Sequence, residues 1–303
     1  MSFDGLFKMQ GMLFLLMALG LFLRKRGLIT AEGKQLLTDL VLFVTLPASI
    51  LKSFQMEMTH EIVMGSLAVI IVALLIQLGA YLLGLVVYPG RKDEDKRVLQ
   101  YATICSNAGI LGNTIAEGIF GATGLLYASI YTIPQRTLMW SVGLTYFTTA
   151  PSKKALFKKV ITHPCILAVF AGILLMITQY TLPEPLNTTV KTISNGNTFL
   201  AMLLVGSILA EIPFRELLDK EAFYYSFVRL ILVPLLVYVA CRIAHVDSLV
   251  TSVCVVLSGM PSAATTAVLA SRYHKNEKLG VKLVVLSTLL SVVTVPIWCI
   301  FLA

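Results

Sequence analysis

The side chains able to do chemistry in this chain are few, and they gather in two uncharged stretches about half a chain apart. The first is Ser106-Asn107-Ala108-Gly109-Ile110-Leu111-Gly112-Asn113, with Thr114 following, and it offers two amides, hydroxyls and glycines. The second, Ser258-Gly259-Met260-Pro261-Ser262-Ala263-Ala264-Thr265-Thr266, offers hydroxyls, a glycine and a proline. These residue types weaken, break or cap helices. A break inside hydrocarbon frees backbone carbonyls, and it survives only when buried in protein or lining a wet cavity. It also creates a new helix N-terminus with partial positive charge, where an anionic group docks. Asn113 or Thr114 is placed to cap the second half of the first segment, and Ser262, after Pro261, that of the second. The chemistry this predicts is the binding of an anion between two facing helix ends.

Two arginines fall inside apolar segments. A buried arginine costs about 2.5–3.5 kcal/mol on insertion scales and faces a protein interior or a cavity. Arg136 follows Pro134 near the middle of its segment and is the preferred fixed positive charge for an anion. Its plainer role is a structural pair, for instance with Glu117. Arg229 is read nearer the inner side of its segment, pairing with an acidic group or snorkelling inward. Glu117 and Glu211 sit near segment ends and are expected to reach the interface, with proton coupling at Glu117 the sharper alternative. His163 begins a segment, while His60, His245 and His274 read as loop residues. No nucleophile elbow, phosphate-binding glycine loop or HExxH pattern occurs, so no catalytic residue, metal or cofactor is assigned.

The elements that must position these residues are membrane helices. The 303 residues are 57% hydrophobic and 13% charged, against about 25% charged in soluble domains. Uncharged runs cover 62–90, 98–116, 192–210, 248–271 and 283–303, and about 20 apolar residues cross a bilayer. Ten spans follow, at roughly 6–23, 36–55, 62–88, 98–118, 125–148, 161–179, 191–210, 221–241, 248–271 and 281–302. The second is weakest, because Asp39 and Lys52 interrupt it. With the N-terminus outside, 18 of the 24 lysines and arginines fall in inner loops, and Lys8, Lys52, Lys191 and Arg242 fall outside. That asymmetry orients the chain with both termini outside. The net charge of +8 is thus an orientation signal and no nucleic-acid footprint. The basic cluster Arg24-Lys25-Arg26 follows the first apolar run, so that run reads as a retained span and not a signal peptide. Cys105, Cys165, Cys241, Cys254 and Cys299 lie in apolar segments without CxxC spacing, and they read as small hydrophobes.

Ten spans divide five and five at the basic loop Pro151-Ser152-Lys153-Lys154-Ala155-Leu156-Phe157-Lys158-Lys159, giving repeats over 1–150 and 160–303. An odd number of spans per half forces opposite orientations, so the repeats are inverted, and the interrupted segments fall fourth and ninth. Paired interruptions of this kind mark substrate sites at mid-membrane in secondary transporters. The plainer reading is close helix packing through small residues.

Three motifs resemble a known family. Asn107-Ala108-Gly109-Ile110-Leu111-Gly112 looks like the Asn-Thr-Gly-(aromatic or aliphatic)-(aliphatic)-Gly signature of the auxin efflux carrier family, which includes plant PIN proteins and bacterial malate- or malonate-permease-like transporters. Met260-Pro261-Ser262-Ala263 is similar to its Met-Pro-Ala-Ala signature, and Ser287-Thr288-Leu289-Leu290-Ser291 with Pro296 to its last span. The resemblance implies an all-α polytopic membrane protein of ten helices in two inverted five-helix repeats. Spans 1, 2, 6 and 7 would be a scaffold that often dimerises, and spans 3–5 and 8–10 a transport domain with helices 4 and 9 crossing at their breaks. The family's proline near Thr114 is absent here, leaving the first break to Gly109, Gly112 and Asn113 and room for it to be shallower. Ala264 and Thr265 stand where the second signature continues with proline and asparagine.

The expectation is a single integral domain of the plasma membrane acting as a secondary transporter of a small organic anion such as a carboxylate, by efflux or exchange. Its substrate would sit near Asn107, Gly109, Gly112, Asn113, Thr114, Arg136, Gly259, Pro261, Ser262 and Thr265. A proton or sodium as coupling ion, and a homodimer, stay open. The rival from another class is a membrane receptor or channel that binds a ligand without carrying it.

Overall fold

The computed structural model describes residues 3–55, 59–140, 142–147, 162, 164–210, 219–263, 265–273 and 275–302. The proposed divide at Pro151–Lys159 lies outside them, as do His163, Glu211, Arg215, Ala264 and His274. Helices account for nearly all of the described chain. They are α1 (Phe3–Lys25), α2 (Ala31–Leu40), α3 (Leu46–Ser53), α4 (His60–Val86), α5 (Asp93–Ile104), α6 (Leu111–Trp140), α7 (Val142–Thr145), α8 (Pro164–Thr178), α9 (Glu184–Asn195), α10 (Asn197–Leu209), α11 (Lys220–Phe227), α12 (Val233–Ile243), α13 (Ser248–Ser258), α14 (Thr265–Arg272) and α15 (Glu277–Leu302).

Among the described residues, four helical stretches are long and apolar enough to cross a membrane alone: Ala31–Ser53, His60–Val86, Lys220–Ile243 and Glu277–Leu302. The two interrupted segments fall short because each is in pieces. α5 has 12 residues and α13 has 11, well under the roughly 20 that a crossing requires. The helix α6 runs from the first break through a kink at Gly121, whose φ of 67° and ψ of −156° only glycine adopts readily.

The surface of α4 has the arrangement lipid selects. Leu67, Ile71, Leu74, Leu78 and Leu82 project outward, while Gly65, Ala73, Ala80 and Gly84 face the protein. Large apolar groups outward and small groups inward let helices approach closely where no hydrophobic drive separates lipid from protein. The contact of α1 with α10 uses the same device: Gly20 lies on the backbone of Leu203, and Gly206 on that of Met17. α3 packs on α8 and α9, and α2 on α10. A second group gathers α4, α5, α6, α11, α13, α14 and α15.

Two π turns interrupt long helices, at Val41–Thr45 and Val228–Leu232, and each precedes a proline, Pro47 or Pro234. A proline removes one helical N–H and crowds the carbonyl four residues back. For Pro234 that carbonyl belongs to Leu230, and the Trp298 indole N–H donates to it at 2.9 Å. The five cysteines are buried, and the Cys165 thiol donates to Leu42 O at 3.7 Å.

Candidate functional site

The two interruptions meet. Between α5 and α6 the backbone leaves the α-helix over residues 105–110, with only a 3-10 turn at Asn107–Gly109. Between α13 and α14 it does so over residues 259–263. Ser106 and Ser262 form an antiparallel bridge there. The Asn107 N–H donates to the Pro261 carbonyl at 2.7 Å, and the Ala263 N–H to the Cys105 carbonyl at 3.1 Å. Each break therefore supplies the hydrogen bonds the other has lost. The first break is no shallower for lacking a proline, because its partner comes from across the molecule.

The freed carbonyls can be followed one by one, as burial demands. Ala102 O accepts from the Tyr225 hydroxyl at 2.9 Å, and Ser106 O from Gln135 Nε2 at 2.7 Å. Thr103 O accepts from Arg229 Nη1 at 2.8 Å, and Met260 O from Arg229 Nε at 3.0 Å. On the second strand, the Ser262 N–H donates to Ser287 Oγ at 3.0 Å. One guanidinium thus ties the C-terminal end of α5 to that of α13, where helix dipoles concentrate negative charge. Arg229 is 1% exposed. It does not snorkel and its acceptors are carbonyls, which corrects the expectation of an acidic partner.

The predicted site residues divide by environment. Asn107, Pro261 and Ser262 lie in the bridge, and the Ser262 hydroxyl is 3.0 Å from Thr266 Oγ1. Thr265 accepts from the Tyr101 hydroxyl at 3.3 Å. Gly109 faces Arg136 so closely that a Cβ there would lie 2.7 Å from Nη2. The arginine predicted as a fixed charge therefore reaches back from α6 to the first break. Gly112 packs against Leu257 and Met260, fitting the small-residue packing reading. Gly259 faces Pro234 and caps α13. Thr114 and Asn113 do not cap α6: Thr114 returns its hydroxyl to Ile110 O at 2.9 Å, and Asn113 lies inside the helix, 1% exposed, with both amide atoms unpartnered. Glu117 does not simply reach the interface, since its Oε2 is buried without a hydrogen-bond partner.

Sequence reasoning missed Gln135, Tyr101 and Tyr225 and gave Ser287 no role. The available signal was a polar group on an apolar helix downstream of each break, Gln135 on α6 after the first and Ser287 on α15 after the second. Both are buried, and each holds the bridge serine of its own half.

Comparison with known proteins gives the arrangement its context. Residues 11–299 match the family described as membrane transport protein. The chain belongs to that family. It is the auxin efflux carrier family that the motifs resembled. The transporter is 25% identical over 301 residues to the uncharacterized transporter YfdV of Escherichia coli, covering 93% of each chain. It is 24% identical over 297 residues to the uncharacterized transporter MJ1031 of Methanocaldococcus jannaschii, covering 94% of each. It is 22% identical over 281 residues to a Rhizobium meliloti protein named "Putative malonate transporter", covering 87% of this chain and 85% of that one.

Proposed function

We propose that this transporter is a secondary carrier of a small organic anion, a carboxylate of the malonate kind, working by alternating access around the paired breaks. The observation that carries the reading is Arg136 against Gly109. A cationic guanidinium is set beside unwound backbone where α6 begins, and charge and helix dipole there favour the same ligand sign. Asn107, Gly112, Asn113, Thr114, Gly259, Pro261, Ser262 and Thr265 complete the neighbourhood. The name of the Rhizobium meliloti relative agrees with this substrate class.

The wider arrangement belongs to the same proposal. Ten spans form two inverted repeats over 1–150 and 160–303, in the plasma membrane, with both termini outside. Spans 1, 2, 6 and 7 act as scaffold and dimer surface, and spans 3–5 and 8–10 move. The packing of α1 on α10 and of α3 on α8 and α9 supports that grouping. Export of an anion from a negative-inside cell releases about 2.3 kcal/mol per charge per 100 mV.

Thermal-shift titration of the purified protein with mono- and dicarboxylates tests the ligand, since a ligand of the native state raises apparent stability. We expect dicarboxylates to raise the Tm and Arg136→Gln to abolish the shift while the protein stays folded. An unchanged shift in Arg136→Gln would remove Arg136 from the site.

A further inference from the structure

A second polar cluster lies away from the bridge, where α6 meets α3 and α10. Asn113 and Glu117 are four residues apart on α6 and so stack on one helical face. Glu117 lies beside Asn197 of α10 without a hydrogen bond formed between Oε2 and Nδ2, and Asn197, wholly buried, accepts from Thr45 Oγ1 at 3.1 Å through Oδ1. Both amide atoms of Asn113, Asn197 Nδ2 and Glu117 Oε2 are buried without a partner. Buried polar atoms are nearly always satisfied, so several orphans around one carboxyl ask for an explanation.

We propose that Glu117 is a proton carrier that couples anion movement to a proton, with Asn113 and Asn197 serving it in both protonation states. This rests on the carrier reading above. Ionised, Glu117 accepts from Asn197 Nδ2 and Asn113 Nδ2. Protonated, it donates from Oε2 to Asn113 Oδ1, which a turn of that amide presents. A primary amide is the side chain able to answer both states, being donor and acceptor at once. Sodium fits less well. Hard cations take about six oxygen ligands, and among the described residues of this cluster the buried side-chain oxygens without a partner are Glu117 Oε2 and Asn113 Oδ1.

The position supplies the coupling. α6 belongs to the group proposed to move, and α3 and α10 to the group proposed to stay. An ionised Glu117 sliding off Asn197 would bury an uncompensated charge, whereas the neutral acid slides at much lower cost. The proton comes from water on one face, forms an O–H bond at Oε2, and returns to water on the other; nothing is oxidised. Lys52 at the end of α3 is the charged group that interacts with Glu117. α10 adds no titratable side chain, α8 and α13 bring the buried thiols Cys165 and Cys254, and α4 brings Glu61, which acts on Tyr127. Arg24 and Lys25 of α1 stand at its far end, beside the start of α2.

The test uses the full chain in proteoliposomes, with Glu117→Gln and Asn113→Ala. Infrared difference spectra across a pH step need no substrate. We expect a carboxylic C=O band that titrates in wild type, is missing in Glu117→Gln and is displaced in Asn113→Ala. With labelled malonate, an imposed pH gradient should drive accumulation in wild type. Glu117→Gln should lower that accumulation about tenfold or more, within the range of coupling free energies, yet still exchange malonate at equal pH. A spectrum unchanged in Glu117→Gln, or gradient-driven accumulation equal to wild type, would overturn the proposal. If wild type moves no carboxylate, the anion reading falls and the infrared band alone decides for or against the proton site.

Discussion

Ser106 and Ser262 pair as an antiparallel bridge between two interrupted helices. The pairing explains how unwound backbone persists among apolar helices: each strand is the other's hydrogen-bond partner, and Gln135 and Ser287 hold the two serines from neighbouring helices. A site made this way is preorganised, since its backbone groups are already aimed by contacts remote from any ligand.

Arg229 locks the crossing, and its removal would leave Thr103 O and Met260 O without their charged donor. Hydrogen bonds to charged groups contribute about 1.5–3 kcal/mol each. Arg229→Met is expected to lower stability by about 2–5 kcal/mol, and Arg229→Lys by less, because an ammonium lacks the planar fork that spans both carbonyls. Thermal unfolding of the detergent-solubilised variants measures both, and equal stability of Met and wild type would refute the clamp.

Two glycines, Gly109 in the first break and Gly112 in the first turn of α6, should separate stability from binding. A Cβ at Gly112 would lie 2.5 Å from Leu257 Cδ2 and 3.1 Å from Met260 Cγ, so Gly112→Ala forces the crossing apart at about 1–3 kcal/mol. A Cβ at Gly109 meets the movable end of Arg136 instead. Gly109→Ala should keep most of the stability and weaken carboxylate affinity by displacing the guanidinium. Comparing Tm and dicarboxylate titrations for the two variants checks the contrast.

What the sequence made legible, and what it hid, follows from the kind of partner involved. Asn107, Pro261 and Ser262 could be foreseen at one site, because helix breakers inside apolar runs announce themselves by composition. The role of Arg229 could not, since its acceptors are main-chain carbonyls, which leave no mark among the residue types. The depth of the first break was hidden for the same reason: the bonds that replace a proline's effect come from residues some 150 positions away. Asn113 resembled a cap by type and place, yet α6 begins at Leu111 and swallows it.

The contact of α1 with α10 should tolerate bulk poorly. Gly20 and Gly206 each lie on the opposite helix's backbone, which cannot swing aside like a side chain. Gly206→Val is expected to destabilise by at least about 1–3 kcal/mol while leaving Gly109 and Arg136 untouched. The check is a lowered Tm with an unchanged dicarboxylate dissociation constant in the folded fraction.

Asp219, just ahead of the Lys220–Ile243 stretch, sets the acid limit. Burial works to raise the Asp219 pKa, but the Lys282 hydrogen bond and the Ala222 and Glu221 amides outweigh it and hold it below the ordinary carboxylate value. Lys282 Nζ stands 2.8 Å from Oδ2, and the Glu221 and Ala222 N–H groups donate to Oδ1 at 2.9 and 3.3 Å. With the folded value depressed, the stabilisation is complete above the unfolded pKa of about 3.9 and disappears as pH falls through the folded value. Asp219→Asn should keep the cap and flatten this acid limb, whereas Asp219→Ala also loses about 1 kcal/mol of capping. Denaturation curves between acidic and neutral pH measure both effects, and an acid limb unchanged in Asp219→Asn would contradict the assignment.

The central claim is that the paired breaks carry an anion across and do not merely bind it. Counterflow of labelled malonate in proteoliposomes tests it most directly. Wild type should accelerate entry of label against unlabelled malonate inside, and Arg136→Gln should abolish that acceleration. Saturable malonate binding without any exchange of label would contradict the account and make the protein a receptor.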